Sequence, residues 1–103
     1  MRNATVEKLK KARGLIAKGW CQGVWAKTKG GRNVSPHDSR AVRFCALGAC
    51  RRSSTRSSYF HTLSALVPDG GALAAFNDKK DTKRSDVIAL FDWAIGIEME
   101  GGL

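Results

Sequence analysis

The stretch over residues 41–50 is apolar except for Arg43, and a chain of 103 residues has to build its interior around such a segment. Ahead of it stands Ser35-Pro36-His37-Asp38, which carries the marks of a helix start: a serine cap, a proline at the first helical position and an acid three residues after the cap. The run is therefore expected to form a buried central helix. Within it Ala41, Cys45, Gly48 and Ala49 fall at helical spacing and leave a stripe of small side chains along which another backbone can come close. Gly48 costs about 1 kcal/mol relative to alanine inside a helix, which points to a packing reason for its presence.

The remaining segments read as short elements around that centre. Val6, Leu9, Ala12, Arg13 and Ile16 repeat on one helical face over residues 5–18, with Asn3 or Thr5 as cap and Gly19 as stop. From Trp20 the helical period gives way to alternation, and Gly30-Gly31 signals a tight turn, so a short β-hairpin is expected near residues 20–34. Residues 59–67 predict a short helix closed by Pro68-Asp69-Gly70-Gly71, residues 72–76 another turn or two, and Val87, Leu90, Phe91 and Ala94 a final helix capped by Thr82. The fold class is mainly α with a small β part: four to five short helices around a central buried helix. One domain over residues 1–103 accounts for the length, with residues 98–103 as a frayed tail. Hydrophobic residues make up 43%, enough to offset chain entropy and exclude global disorder.

Charge is placed unevenly. Before Ser57 there are 14 Lys and Arg against two acids, Glu7 and Asp38; from Ser57 onward there are four against seven, for a net +9. A lopsided basic surface concentrates anions, so nucleic acid, a phosphorylated nucleotide or an acidic protein is the expected partner. Cys21, Cys45 and Cys50 lack the spacing of a disulfide framework and suit a reducing cytoplasm. No stretch approaches the roughly 18 apolar residues of a membrane span, so no membrane association is expected.

Three blocks carry a resemblance: Trp20-Cys21-Gln22-Gly23, then Ala41-Val42-Arg43-Phe44-Cys45-Ala46-Leu47-Gly48-Ala49, then Phe76-Asn77-Asp78 followed by Thr82. Their order and spacing resemble the domain-of-unknown-function family DUF6197 of small bacterial and phage proteins, over most of residues 5–97. Its members show threonine where this chain has Cys21, tryptophan where it has Phe76, and an aliphatic residue where it has Cys50. The resemblance implies a fold relative and a phage or prophage setting, with countering host defence among its roles, and brings no established activity.

Three constellations are candidates for chemistry. Cys45, with His37 or His61 as base and Asn77 or Asp78 as orienter, has the roles of a thiol nucleophile, but its apolar surroundings raise a thiol's pKa and favour a buried structural residue. Lys79, Lys80, Thr82, Lys83 and Arg84 crowd a helix N-terminus, where backbone amides, a hydroxyl and cations together suit a phosphate. Arg51, Arg52 and Arg56 lie in a Ser- and Thr-rich connector ahead of Tyr59, and Trp25 stands among Lys27, Lys29 and Arg32; guanidinium groups contact phosphates while exposed aromatics stack on bases. No Cys-x-x-Cys or His-x-x-x-His spacing occurs; Asp78 and Asp81 suit at most a weakly held magnesium ion, and Asn77 and Asp78 read first as turn or cap residues, so no metal or cofactor is expected. The sequence thus predicts a small non-enzymatic binding protein for an anionic partner. A protein-binding inhibitor of a host factor and a Cys45-dependent enzyme are the rivals.

Overall fold

The computed structural model describes residues 3–101. Helix α1 is Ala4–Lys18, and Asn3 caps it as expected: its Oδ1 accepts from the Thr5 amide at 3.0 Å and the Val6 amide at 3.2 Å. Val6, Leu9, Ala12 and Ile16 are buried along one face. Arg13, one position off that stripe, forms an ion pair with Asp92 at the surface. The helix stops at Gly19 because the chain there passes tightly over the backbone of residue 42, where a Cβ would lie 2.3 Å from the Val42 carbonyl oxygen.

The hairpin is present, and a third strand joins it. Strand β1 is Ala26–Lys27, β2 is Asn33–Val34 and β3 is Arg43–Phe44; the sheet is antiparallel in the order β2-β1-β3. Ala26 pairs with both Val34 and Phe44, and Lys27 with both Asn33 and Arg43.

The third strand overturns the expected helix over residues 41–50. Helix α2 is Ala46–Ser53, with Cys45 as its N-cap. Ser35 and Asp38 do accept local amide hydrogen bonds, from His37 at 3.1 Å and Arg40 at 2.8 Å, but these close turns rather than open a helix. The apolar run divides because its first part is claimed by β1: the Val42 amide donates to the Lys27 carbonyl at 2.9 Å and the Cys45 amide to the Trp25 carbonyl at 3.2 Å. Within α2 the small-residue reading holds at Gly48, whose added Cβ would sit 2.0 Å from the Trp25 carbonyl oxygen.

A 3₁₀ turn at Ser57–Phe60 leads into α3, His61–Ala65; a second at Pro68–Gly70 precedes α4, Leu73–Asp78. Helix α5 is Arg84–Met99, so it passes through Gly96, and the Thr62 hydroxyl donates to the Glu98 carboxylate near its end at 2.7 Å. Its N-cap is Lys83, not Thr82: the Asp86 carboxylate accepts from the Lys83 amide at 2.8 Å, leaving Thr82 buried one residue too early. Residues 102 and 103 of the expected tail lie outside the described residues.

Helix α1 packs chiefly against α5 and α2, which places Leu9, Ala12, Ile16, Val87 and Phe91 at the centre. Burying a side chain of the size of Leu9, Ile16 or Phe91 contributes roughly 1.5–3 kcal/mol. The arrangement is a helical body with a small sheet laid over the start of α2.

Candidate functional site

The three sequence blocks meet around one side chain. Asn77, at the end of α4, is fully buried. Its Oδ1 accepts from the Trp20 indole at 2.7 Å and from the Ala46 amide at 2.9 Å, while its Nδ2 donates to the Cys21 carbonyl at 3.1 Å and to Asp78 Oδ1 at 2.9 Å. Gln22 Nε2 reaches the Asn77 carbonyl at 2.9 Å and the Lys79 carbonyl at 3.0 Å, and Asp78 Oδ1 also accepts from the Gly23 amide at 2.9 Å. Among the described residues no buried polar side-chain atom lacks a partner. These hydrogen bonds tie the Trp20–Gly23 segment, the start of α2 and the end of α4 together. They form a clasp, which explains why those residue types stand in those blocks.

The cysteine candidate sits in the same framework. Cys45 Sγ accepts from the Gly48 amide at 3.2 Å as the cap of α2, and burial pushes its pKa up. Burial likewise pushes the Cys21 thiol up to about 11 and raises Cys50 further. Asn77 is engaged in the clasp, and His37 and His61 both lie exposed at the surface. A nucleophile needs its thiolate, and these surroundings favour the thiol.

The arginine and aromatic candidates come together in pairs. The Arg51 guanidinium lies over the Trp25 ring, 4.9 Å from its centroid, and Arg56 over Tyr59 at 5.5 Å. Arg52 is set differently: its Nη1 donates to the Pro36 and Asp38 carbonyls, both at 2.9 Å, so it latches the 36–38 turn onto α2. Beside these pairs, the exposed flank of α2, the connector and the start of α4 enclose a cleft of about 490 Å³. Its floor is apolar, with Leu47, Cys50, Phe60 and Leu73; Arg51, Ser54, Thr55, Ser57 and Ser64 give it polar walls. Arg51 therefore serves both the Trp25 stack and the cleft. Ser64 and the start of α4 are contributions that the sequence does not announce, because only the fold brings them to the connector.

The second cation group stays apart. Lys79 pairs with Asp69 at 3.6 Å, and Arg84 Nη1 reaches the Ala17 carbonyl at 3.4 Å. Asp86 supplies negative charge at the α5 N-terminus, beside Lys79, Lys80, Thr82, Lys83 and Arg84, and accepts from the Lys83 amide. Among the described residues, no helix is long and apolar enough to cross a membrane, and no group of three or more His, Cys, Asp or Glu is placed to hold a metal ion.

Comparison with known proteins adds one result. The model of the Family of unknown function (DUF6197) matches residues 1–97, and the chain belongs to that family. No curated protein and no solved structure matches.

Proposed function

Membership of a family of unknown function leaves activity to be argued from surface chemistry, and we propose that this protein is a non-enzymatic binder of a phosphorylated nucleotide, seated in the cleft beside α2. The observation that carries the reading is the grouping there of Arg51 and four hydroxyl side chains over an apolar floor, with the Arg56–Tyr59 pair alongside. Guanidinium and hydroxyl groups receive phosphate, and an apolar floor receives a base. The volume of about 490 Å³ lies inside the roughly 300–1,000 Å³ usual for small-molecule sites. Reduced cysteines fit a cytoplasmic setting, and a phage accessory or anti-defence role belongs to the same proposal.

Calorimetry and thermal unfolding against nucleoside mono-, di- and triphosphates and cyclic dinucleotides test it. A ligand at a hundredfold excess over its Kd should stabilise the fold by about 2.7 kcal/mol. Arg51→Ala with Arg56→Ala should weaken binding at least tenfold while the unliganded protein keeps its melting temperature. Absence of binding across the panel at about 100 mM salt would sink the reading; a protein partner co-purifying from the native host instead would favour an inhibitor of a host factor.

A further inference from the structure

The outer face of the sheet is a different surface with chemistry of its own. Ala26 and Phe44 turn inward and are buried, so the alternation of a strand puts Lys27 and Arg43 on the other side. They are directly opposite each other in the antiparallel register. Opposed residues have their Cα atoms only about 5 Å apart, and like charges so placed repel. Among the described residues neither makes an ion pair, and no acid lies between Glu7 and Asp69 except Asp38. Asp38 is itself engaged by the Arg40 guanidinium through two hydrogen bonds, at 3.0 and 3.1 Å. Asp78 is tied to the Gly23 amide and to Asn77. Two cations are thus held side by side with nothing to neutralise them.

An aromatic ring stands next to them. Trp25 precedes Lys27 by two residues, is 45% exposed, and is backed by the Arg51 guanidinium. A ring so exposed beside two unpaired cations offers a π-face at the same place as two seats for phosphate. Inorganic anions use the cations alone and polyglutamate has no base to stack; duplexes keep their bases inside the helix. An unpaired nucleic-acid strand, with a phosphate on either side of each base, uses all three groups at once.

We propose that the outer face of the sheet binds single-stranded nucleic acid, with the backbone on Lys27 and Arg43 and one base stacked on Trp25. This goes beyond the cleft: neither Lys27 nor Arg43 lines that cavity, and Arg51, which backs Trp25, is the residue that touches both surfaces.

Fluorescence anisotropy with a labelled single-stranded dT oligonucleotide, titrated at several salt concentrations, tests the proposal on the full chain. Wild type should bind at about 50 mM salt, and Lys27→Gln with Arg43→Gln should weaken binding at least tenfold. That double change should also flatten the salt dependence by about 1.4 in log–log slope, at roughly 0.7 for each phosphate no longer neutralised. The same variant should unfold at an equal or higher temperature than wild type, because a repulsive pair has been removed, so a drop in affinity cannot be laid to unfolding. Trp25→Ala should weaken the oligonucleotide at least fivefold with the salt slope kept. Binding that is unchanged in the double variant overturns the proposal. So does competition by polyglutamate or by duplex DNA as effective as the single strand. Nucleotide affinity in the cleft should be unaltered by the Lys27 and Arg43 changes, so either surface can fail without the other.

Discussion

Replacing Asn77 is the most severe polar test this fold admits. Its side chain serves the Trp20 indole, the Ala46 amide and the Cys21 carbonyl, and Ala46 is itself fully buried. A buried polar group stripped of its partner costs about 1–3 kcal/mol. Ala46 is fully buried and Cys21 nearly so, and both belong high in that range, whereas Trp20 is half-buried and belongs low. The three together give roughly 5–7 kcal/mol, a third or more of the about 5–15 kcal/mol that holds a domain of this size. Asn77→Ala also opens a small void, so Asn77→Leu is the sharper probe: it fills the space and restores none of the hydrogen bonds. Urea unfolding followed by tryptophan fluorescence measures both. With a slope of about 1–3 kcal/mol per molar urea, both midpoints should fall by roughly 2 M or more. If Asn77→Leu unfolds within about 0.5 kcal/mol of wild type, the clasp is not what holds these segments, and the reasoning that makes it structural fails.

Other consequences are simpler to check. Gly48→Ala should destabilise by about 3 kcal/mol in a thermal melt, because the new methyl meets the backbone of Trp25 rather than a movable side chain; Gly96→Ala, with open space around its Cβ, should instead gain up to about 1 kcal/mol. Iodoacetamide at pH 8 should leave all three cysteines unlabelled in the folded protein and label all three in urea; rapid native labelling of Cys45 would revive an enzymatic reading. The Arg40 guanidinium holds the Asp38 carboxyl down at about 2, so NMR should show Asp38 titrating near there, and in Arg40→Ala it should move up toward its ordinary 3.8. Since the folded value is depressed, whatever the pair contributes to stability is present above the ordinary carboxylate range and fades as the pH falls toward about 2.

The parts of the fold that can be read from sequence are those governed by neighbours in the chain. Helix α1 shows itself because Asn3, its apolar stripe and Gly19 all lie within one segment. The stretch over residues 41–50 misleads because a continuous apolar run does not distinguish a strand from a helix, and the deciding partner, β1, is 16 to 18 residues away (Lys27 with Arg43, Ala26 with Phe44). Thr82 fails as a cap for a smaller reason: an Asp86 carboxylate reaching back to Lys83 outcompetes it. Asn77 reads as a turn residue, since nothing local marks a side chain whose partners are 31, 56 and 57 positions distant. Of the candidate site, Arg51, Arg56, Trp25 and Tyr59 are legible as types suited to phosphate and base; that they stand in stacked pairs is a property of the fold.

Dependence on Asn77 also sets a timetable for synthesis. A ribosome delivers Trp20, Cys21 and Ala46 first, and Asn77 follows Ala46 by 31 residues, or roughly 2–6 s at about 5–20 residues per second. During that interval the indole, the carbonyl and the amide have only water to satisfy them, so the nascent chain cannot close a dry interior around the apolar run over residues 41–50. Helix α1 waits longer still, because its principal packing partner α5 is translated after Asn77. The growing polypeptide therefore carries an uncovered greasy segment from the time residue 50 is made until α4 delivers Asn77, which makes it a natural client for chaperones over that interval.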